Sequence, residues 1–455
     1  MKERILLFLI IIGLTTFIYV FQNYTNWGLA ILICIMGAYF ITASVATKLK
    51  TRKEAKQPKL KDELYKPFVS VMIPAHNEES VIAGTVARVF EMTYPNYEVI
   101  VIDDRSTDNT ASVIKDLEKQ YNGRLKTLIR SNDAFPGKSA VLNDALLIAK
   151  GEAILVFDAD AQMDSDFLTN LVYELQPKDV GAVQARKVVK NRDENILTRC
   201  QNNEMTIDTS CQVARDAVKG AVELRGNGEL IKREALEDIG GWNNYTITDD
   251  LDMSTRLHIK GWDVRFCKDT VVYEEGIMYL MPLYRQRRRW LEGTIRRYLE
   301  YFWDIMTSKK MSLRVRVDTI AYISEFIMPA WFIIELLILI SKIIIKDAPV
   351  NTLMSSVIMG VLIGIGFMFS CRYALRKYDN VNRADAFTQS VITSTYLLII
   401  WFPLVLFIGS KILFMKKDMK WGKTAHGLVR HEHAILRAKE KIKQAKDELK
   451  KLLKM

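Results

Sequence analysis

Hydrophobic residues are spread unevenly along this chain of 455 residues, and this unevenness limits what the chain can fold into. Residues 5–21 and 27–47 contain no charged side chain. Each run is close to the roughly 20 apolar residues that a helix needs to cross the hydrocarbon core of a membrane. A cleaved signal peptide would end in a small-residue cleavage site, whereas here a second apolar run follows at once. The sequence therefore predicts two N-terminal transmembrane helices within residues 1–48.

A basic segment follows these two apolar runs. Seven Lys or Arg lie between Lys48 and Lys61, and such positive charge collects on the cytoplasmic side of membranes. We interpret residues 49–65 as a basic linker and expect the domain after it to be cytosolic. The five cysteines show no CxxC spacing. This suits a reducing compartment and argues against a disulfide framework or a zinc site.

Three further apolar segments within residues 313–414 predict C-terminal transmembrane segments, and so a multi-pass protein. Three crossings would leave residues 415–455 outside, yet this basic tail has 13 Lys or Arg against 5 Asp or Glu, a net charge of +8. Since its translocation would break the positive-inside rule, we expect one segment to be re-entrant, broken or doubled back, with Pro329 and Pro403 as candidate break points. The tail also has the spacing of a short amphipathic helix, either a coiled coil or a membrane-lying helix.

The region between the apolar segments, residues 66–275, alternates between strand and helix patterns. This alternation predicts an α/β domain with a mainly parallel sheet, whose functional loops lie at the carboxyl ends of the strands. Two acidic clusters directly follow strand-like runs: Asp103-Asp104, and Asp158 with Asp160. Both are therefore expected at the functional edge of the sheet.

Asp158 and Asp160 are separated by one residue at a predicted strand end. Two carboxylates so placed can point at one hard cation, and Mg²⁺ or Mn²⁺ takes oxygen ligands such as carboxylates and diphosphate. Such an ion would neutralise a leaving nucleoside diphosphate as a Lewis acid. An Asp-x-Asp triplet taken singly is also common by chance.

Thr248, Asp249 and Asp250 open a helical pattern. They are explained either as a threonine cap with acids in the first turn or as the source of a catalytic base that accepts a proton from an attacking hydroxyl. Residues 286–290 read Gln-Arg-Arg-Arg-Trp within a stretch, residues 276–312, that predicts amphipathic interfacial helices. The arginines could anchor this stretch on anionic lipid, bind phosphate beside a Trp platform for sugar, or do both.

Taken jointly, these motifs and their order resemble the processive family 2 glycosyltransferases, the group of cellulose, chitin, hyaluronan and poly-N-acetylglucosamine synthases. The resemblance covers residues 66 to about 300, includes Gly137-Lys138-Ser139-Ala140-Val141-Leu142-Asn143, and extends to the membrane segments on both sides. It implies a GT-A-like domain inserted between transmembrane helices, an inverting reaction, and Mg²⁺ or Mn²⁺ as cofactor. Asp249 stands where most relatives have Glu, which leaves the role of this position in doubt.

The resemblance also implies roles for individual residues. The nucleotide sugar would be held by residues at three strand ends and one helix start: Ala75, His76, Asn77, Glu78, Asp103, Asp104, Lys138 and Asp158. Asp158 and Asp160 would bind the metal. The catalytic residues would be Asp250 as base, Asp249 beside it, and Gln286, Arg289 and Trp290 over the diphosphate and the acceptor sugar. Residues 195–219, with Glu204 and Asp208, would contact the acceptor end.

These observations predict a multi-pass plasma-membrane enzyme that polymerises a UDP-sugar, UDP-N-acetylglucosamine by resemblance, and passes the polysaccharide through its own transmembrane pore. Its partners would be the UDP-sugar, the growing polysaccharide, membrane lipid and a small membrane accessory subunit. Nucleic acid is not expected, because lipid headgroups account for the basic tail. One alternative is a non-processive transferase that glycosylates a membrane lipid. The other is a non-catalytic scaffold or export subunit, against which the intact acidic and Arg-Trp motifs argue.

Overall fold

The computed structural model describes residues 2–20, 25–56, 64–345, 350–415 and 417. Its centre is one sheet of eight strands in the order β3-β2-β1-β4-β7-β6-β8-β5. In chain order the strands are β1 Val69–Ala75, β2 Tyr97–Asp103, β3 Leu125–Ile129, β4 Ala153–Val156, β5 Gln162–Met163, β6 Val180–Val189, β7 Glu229–Lys232 and β8 Asp263–Glu274.

Fourteen helices are seen in the described part of the chain. They are α1 Lys2–Val20, α2 Thr25–Lys56, α3 Ile82–Phe90, α4 Thr110–Gln120, α5 Lys138–Ile148, α6 Phe167–Leu175, α7 Ile196–Ala217, α8 Arg233–Asp238, α9 Asp249–Lys260, α10 Leu280–Glu300, α11 Phe302–Thr307, α12 Leu313–Ile344, α13 Val350–Tyr378 and α14 Arg383–Phe414. Helix α2 thus continues eight residues past the boundary that we predicted at residue 48.

The sheet is parallel on one side and mixed on the other. Strands β3, β2, β1 and β4 are parallel to one another. Strand β7 is antiparallel to both β4 and β6, and β5 is antiparallel to β8. The predicted mainly parallel sheet therefore describes the first half of the domain only. Alternation alone did not predict β7, because this short strand reaches the sheet after a long excursion through α7.

Buried aliphatic side chains hold the parallel half together. Val69, Val71 and Ile73 of β1 are fully buried and pack in one cluster with residues of α3, α4 and α6. Each Val or Ile side chain removed from water in this way contributes about 1.5–3 kcal/mol. In register, Ala75 at the end of β1 lies opposite Asp103 at the end of β2. The loops that follow these two strands are therefore adjacent at one edge of the sheet.

The apolar segments predicted from the sequence are helical in the structure. Within the described residues, α1 and α14 are the helices long and apolar enough to cross a membrane by length and composition. The multi-pass arrangement stays a prediction. Helices α12 and α14 run unbroken through positions 329 and 403, so neither Pro329 nor Pro403 ends its helix. Of the predicted tail, residues 415–455, the structure describes residues 415 and 417, and the predicted amphipathic helix lies outside the described residues.

Candidate active site

Lys138, the first residue of α5, connects the end of β4 to the loop before β7. Its Nζ lies 2.7 Å from Oδ1 of Asp158 and donates a hydrogen bond of 2.7 Å to the carbonyl of Gly226. Burial disfavours its ammonium form, but the carboxylates of Asp158 and Asp249 outweigh burial and raise the pKa of Lys138. Lys138 therefore stays positively charged among the acidic residues of the site.

The loop before β7 approaches the acidic residues with its backbone. Gly226 has a φ of +78°, and a Cβ atom at this position would lie 3.2 Å from Oδ2 of Asp250. The buried Asn227 accepts a hydrogen bond of 3.2 Å from the backbone N–H of Asp158. Glycine is suited to position 226 on two counts, because it adopts a positive φ without strain and leaves room for the carboxylate.

Asp249 and Asp250 are the first two residues of α9. Oδ1 of Asp250 accepts a hydrogen bond of 2.8 Å from the N–H of Leu251. Burial, with the neighbouring carboxylate of Asp249 as the next cause, raises the pKa of Asp250 to about 6. Oδ2 of Asp249 is buried and has no hydrogen-bond partner among the described residues. A carboxylate with a pKa near 6 is a suitable general base at neutral pH.

Glu229, at the start of β7, is an acidic residue of the site that our sequence analysis missed. It is fully buried, and its Oε2 accepts a hydrogen bond of 3.3 Å from the N–H of Gly226. Burial raises the pKa of Glu229 to about 8; Lys138 lowers it, and nearby carboxylates, Asp249 first, raise it further. Burial therefore favours the protonated form of this carboxyl. In the sequence Glu229 directly precedes the apolar pair Leu230-Ile231. Charged residues are rarely buried unless they are paired, so a Glu at the start of an apolar strand was the signal available for this position.

The predicted nucleotide-binding residues of the first two strands meet at adjacent strand ends. Nδ1 of His76 lies 2.6 Å from the carbonyl oxygen of Asp104. Asn77 has a φ of +56°, and its Oδ1 accepts a hydrogen bond of 2.6 Å from the N–H of Thr107. Glu78 is buried, and its N–H donates to Oγ1 of Thr110. These contacts join the loop after β1 to the loop after β2.

Asp103 and Asp104 are buried beneath that edge. Oδ2 of Asp103 accepts a hydrogen bond from the N–H of Ser106 at 3.2 Å. The carboxylate of Asp104 pairs with the guanidinium groups of Arg105, at 2.9 Å, and Arg130, at 2.6 Å. In this structure Asp104 therefore pairs with two arginines, and its predicted contact with the nucleotide stays a prediction. Arg130 was not among our predicted site residues.

Asp158 and Asp160 provide the oxygen ligands that Mg²⁺ or Mn²⁺ prefers. The side chain of Asp158 is 39% exposed, and Asp160 follows two residues later on the same strand end. No group of three or more His, Cys, Asp or Glu within the described residues has an arrangement that could hold a metal ion. Two carboxylates fit a cation whose remaining ligands come from a diphosphate and water. The donor set is therefore compatible with the expected divalent metal.

Helix α10 brings the Gln286–Trp290 segment against the start of α9. A Cβ atom on Gly293, one turn after Trp290, would lie 2.5 Å from Cγ2 of Thr248. The backbone of α10 at Gly293 therefore contacts the side chain of Thr248, which directly precedes Asp249. Thr248 makes no side-chain cap hydrogen bond, so its packing against Gly293 is its observed role.

Within this segment Arg287 makes the buried contacts, whereas the resemblance had emphasised Arg289. The Arg287 side chain is 1% exposed and donates hydrogen bonds of 3.1 and 2.8 Å to Oε2 of Glu204. Its guanidinium also lies 4.2 Å from the ring centre of Trp290 and donates to Oε1 of Gln286. Arg287 therefore supports the indole of Trp290, while Arg289 is only half-buried.

Glu204 of α7 joins α10 to α14. Besides Arg287, it accepts hydrogen bonds from the hydroxyl of Tyr396 at 3.3 Å and from Nε1 of Trp401 at 3.1 Å. Asp208, one turn further along α7, instead pairs with Arg225 through hydrogen bonds of 3.0 and 2.6 Å. Residues 195–219 thus support the Arg-Trp segment and the loop before β7, which contains Gly226. Their predicted contact with the acceptor stays a prediction.

Comparisons with known proteins agree with this geometry. Residues 67–293 match the family described as glycosyltransferase like family 2. A β-monoglucosyldiacylglycerol synthase of Nostoc sp. is 38% identical over 365 residues, which are 79% of this chain and 76% of that protein. A poly-β-1,6-N-acetyl-D-glucosamine synthase of Staphylococcus epidermidis is 28% identical over 250 residues, which are 54% of this chain and 59% of that protein.

Among solved structures, a mannosyltransferase from Pyrobaculum calidifontis in complex with GDP-Man and Mn²⁺ superposes with a TM-score of 0.54. It is 22% identical and covers 82% of this chain and 99% of that chain. This likeness concerns the fold, which is a GT-A-like glycosyltransferase fold around a central sheet. The chain belongs to glycosyltransferase family 2 and is a hexosyltransferase.

The comparisons overturn the expected polysaccharide synthase. The relative of higher identity, which covers 79% of the chain, is a lipid-glucosylating enzyme by name, whereas the polysaccharide synthase matches 54%. The prediction of a processive synthase that uses UDP-N-acetylglucosamine and exports a polymer through its own pore was wrong. The acidic and Arg-Trp motifs that carried this prediction were assigned to donor binding and proton transfer. Enzymes with different acceptors share those steps, so the motifs could not identify the acceptor. The comparisons give no support to an accessory subunit.

Proposed function

We propose that this protein transfers one glucosyl residue from UDP-glucose to the free hydroxyl of a diacylglycerol-type lipid at a membrane. The observation that carries the proposal is the extent of similarity to the β-monoglucosyldiacylglycerol synthase of Nostoc sp. The 365 aligned residues exceed the family domain of residues 67–293, so the similarity includes flanking helices. Those helices are where a lipid acceptor would approach. Two similar synthases from other organisms are 38% and 32% identical.

In this proposal Asp250 is the general base. Its carboxylate accepts the proton of the lipid hydroxyl while the hydroxyl oxygen bonds to the anomeric carbon of glucose. The bond between that carbon and the diphosphate oxygen breaks, and UDP leaves. Attack from the face opposite the diphosphate inverts the anomeric centre, consistent with the β product that the relatives' names state. The raised pKa of Asp250 keeps this group basic enough to accept the proton.

The donor side of the site stabilises the departing charge. Asp158 and Asp160 would hold Mg²⁺ or Mn²⁺, which supplies Lewis-acid stabilisation to the diphosphate when bound. Lys138 keeps its positive charge beside Asp158 and balances the carboxylates that surround it. Arg289 of α10 is not paired with Glu204 and is only half-buried. Because the family resemblance places this arginine over the diphosphate, we assign it to the diphosphate oxygens.

The acceptor side would be Trp290, with its ring supported by Arg287. We expect the catalytic domain to lie on the cytosolic side, where UDP-sugars are available, and the lipid to reach Asp250 from the adjoining leaflet. A processive enzyme would have to retain its product after each addition. The proposed enzyme releases a glycolipid after a single addition.

The test uses purified full-length protein in vesicles that contain dioleoylglycerol, with UDP-glucose and Mg²⁺ or Mn²⁺. We expect one glycolipid of one hexose per lipid, formed in proportion to UDP released. UDP-galactose, UDP-N-acetylglucosamine and GDP-mannose are the comparison donors, and Asp250→Asn is the inactive control. A long polymer from any donor, or transfer that does not need the lipid, would contradict the proposal.

A further inference from the structure

Helix α14 is hydrophobic enough to cross a membrane, yet its first half is hydrogen-bonded to α7 of the catalytic domain. Nδ2 of Asn203 donates to Oε1 of Gln389 at 3.3 Å and to Oγ1 of Thr393 at 2.9 Å. Two turns later, Nε1 of Trp401 donates to Glu204 at 3.1 Å. Residues 389–401 of α14 are therefore held by two adjacent residues of α7, Asn203 and Glu204.

The second half of α14 runs beside α10. Three contacts join the two segments in the same order along both: Arg288 with the ring of Phe407, Glu292 with Lys411, and Glu300 with Lys417. Apolar residues of α14 fill the interface between them, with Leu404 and Ile408 fully buried. Because the contacts progress together, α14 and α10 lie parallel over this stretch.

These anchors exclude a crossing. The segment from Gln389 to Lys411 covers 22 residues, or about 33 Å of helix at 1.5 Å per residue. This distance is close to the roughly 30 Å of hydrocarbon in a membrane. If α14 crossed, Asn203 and Glu292 would lie on opposite sides of the hydrocarbon core. Helix α7 has five charged residues and α10 has six arginines, and helices so charged do not lie in that core.

The outward face of α14 nevertheless carries a regular row of exposed apolar side chains. Ile392, Ile399 and Leu406 recur every seven residues and are 37%, 65% and 37% exposed. Phe387 and Phe414 extend this face towards the two ends of the helix. Apolar residues of α1 and α12 share a cluster with the buried, inner face of α14. This exposed row lies opposite the face that α7 and α10 hold by polar contacts, and such a two-faced arrangement is typical of a helix that lies in the surface of a bilayer.

We infer that α14 is an interfacial helix that lies flat in the membrane leaflet next to the catalytic domain, with its Ile392–Ile399–Leu406 face in the lipid. The chain then leaves α14 on the same side as the catalytic domain, where Lys417 lies 3.9 Å from Glu300. This placement removes the conflict between a third C-terminal crossing and the positive-inside rule.

The flat position also connects the membrane surface to the site. Trp401 and Tyr396 of α14 bind Glu204, which binds Arg287, and Arg287 lies under the ring of Trp290. If α14 lies in the leaflet, these contacts therefore fix the distance of Trp290 from the membrane surface. The inference concerns where α14 lies and is independent of which sugar or lipid the enzyme uses.

The test measures the depth of three points on α14 in lipid nanodiscs. A ketone-bearing amino acid at position 392, 399 or 406 carries a nitroxide label and leaves the five native cysteines in place. Depth is read from the ratio of oxygen to nickel-chelate accessibility by electron paramagnetic resonance. The same spacing on α1, at Ile5, Ile12 and Tyr19, gives a matched series on a helix expected to cross, with exposed fractions of 52%, 46% and 64%.

We expect the three α14 labels to report the same depth, near the headgroup boundary. A crossing helix would instead spread them over about 21 Å, since 14 residues rise 1.5 Å each. That gradient, with the label at position 399 near the bilayer centre, would overturn the inference. Each labelled protein is first shown to elute as the wild type does in size-exclusion chromatography, so that the depths refer to folded protein.

Discussion

Gly293 of α10 lies directly against Thr248, so that a Cβ atom at position 293 would come within 2.5 Å of Cγ2 of Thr248. This contact sets the distance between the helix that carries Trp290 and the helix start that carries Asp249 and Asp250. The proposed catalytic base Asp250 and the aromatic residue Trp290 belong to different helices, α9 and α10. Those helices can meet because Gly293 has no side chain.

We predict that Gly293→Ala will lower kcat by about 100-fold, because separating reacting groups by about 1 Å has an effect of that size. Steady-state UDP release measures the change. Thr248→Ala/Gly293→Ala should recover most of the activity, since alanine at position 248 lacks the two atoms nearest to the new Cβ. Gly84→Ala is the matched control, because a Cβ there meets no atom within 4 Å. Equal loss in the single and double variants would show that the close approach is not the cause.

The pH dependence of transfer should reflect Asp250. As a base it must be ionised, and its pKa is raised to about 6 by burial and by Asp249. We therefore expect kcat/KM to fall as the pH is lowered through about 6. Asp249→Asn removes the neighbouring negative charge and should move this fall to lower pH. Asp250→Asn should lose at least 100-fold in activity at every pH while keeping the wild-type melting temperature. An acid limb that does not move in Asp249→Asn would refute this coupling.

The buried pair of Arg287 and Glu204 should matter for stability as well as for activity. Glu204→Ala leaves a guanidinium that is 1% exposed without its carboxylate, and such a loss costs about 3–5 kcal/mol. We expect a marked drop in melting temperature by differential scanning fluorimetry. Glu204→Gln/Arg287→Met, which removes both charges, should be more stable than Glu204→Ala. Arg285→Gln changes an exposed arginine of the same helix and serves as the control. A double variant no more stable than Glu204→Ala would argue against a charge penalty.

Glu229 should make the folded state less stable as the pH rises. Its folded pKa of about 8 exceeds its ordinary value, so the folded protein binds this proton more tightly than the unfolded chain does. The resulting stability is present at low pH and is lost as the pH rises through about 8. The melting temperature of the wild type should thus fall more between pH 6 and pH 8.5 than that of Glu229→Gln. Glu237→Gln, at an exposed site, should follow the wild type. Parallel curves for the wild type and Glu229→Gln would refute the assignment.

Short-range features of the site were predictable from the sequence. Strand β4 ends two residues before Asp158, and α9 begins at Asp249, both as the local patterns indicated. Such features depend on hydrophobic periodicity and helix-start chemistry over a few neighbouring residues, which the sequence displays directly. The Arg-Trp segment was likewise expected on a helix and lies on α10.

By itself the sequence determined the alternating strands and helices of the parallel half, the acidic strand ends and the glycosyltransferase family, because each is carried by short patterns of neighbouring residues. Only the tertiary structure decided that Glu229 joins the acidic cluster, that Arg287 rather than Arg289 supports Trp290, and that α14 lies along the catalytic domain. Those features depend on contacts between residues that are far apart in the chain: Glu204 meets Trp401 across 197 positions. Hydrophobicity alone makes α14 a candidate membrane span, but its polar partners on α7 and α10 determine its direction.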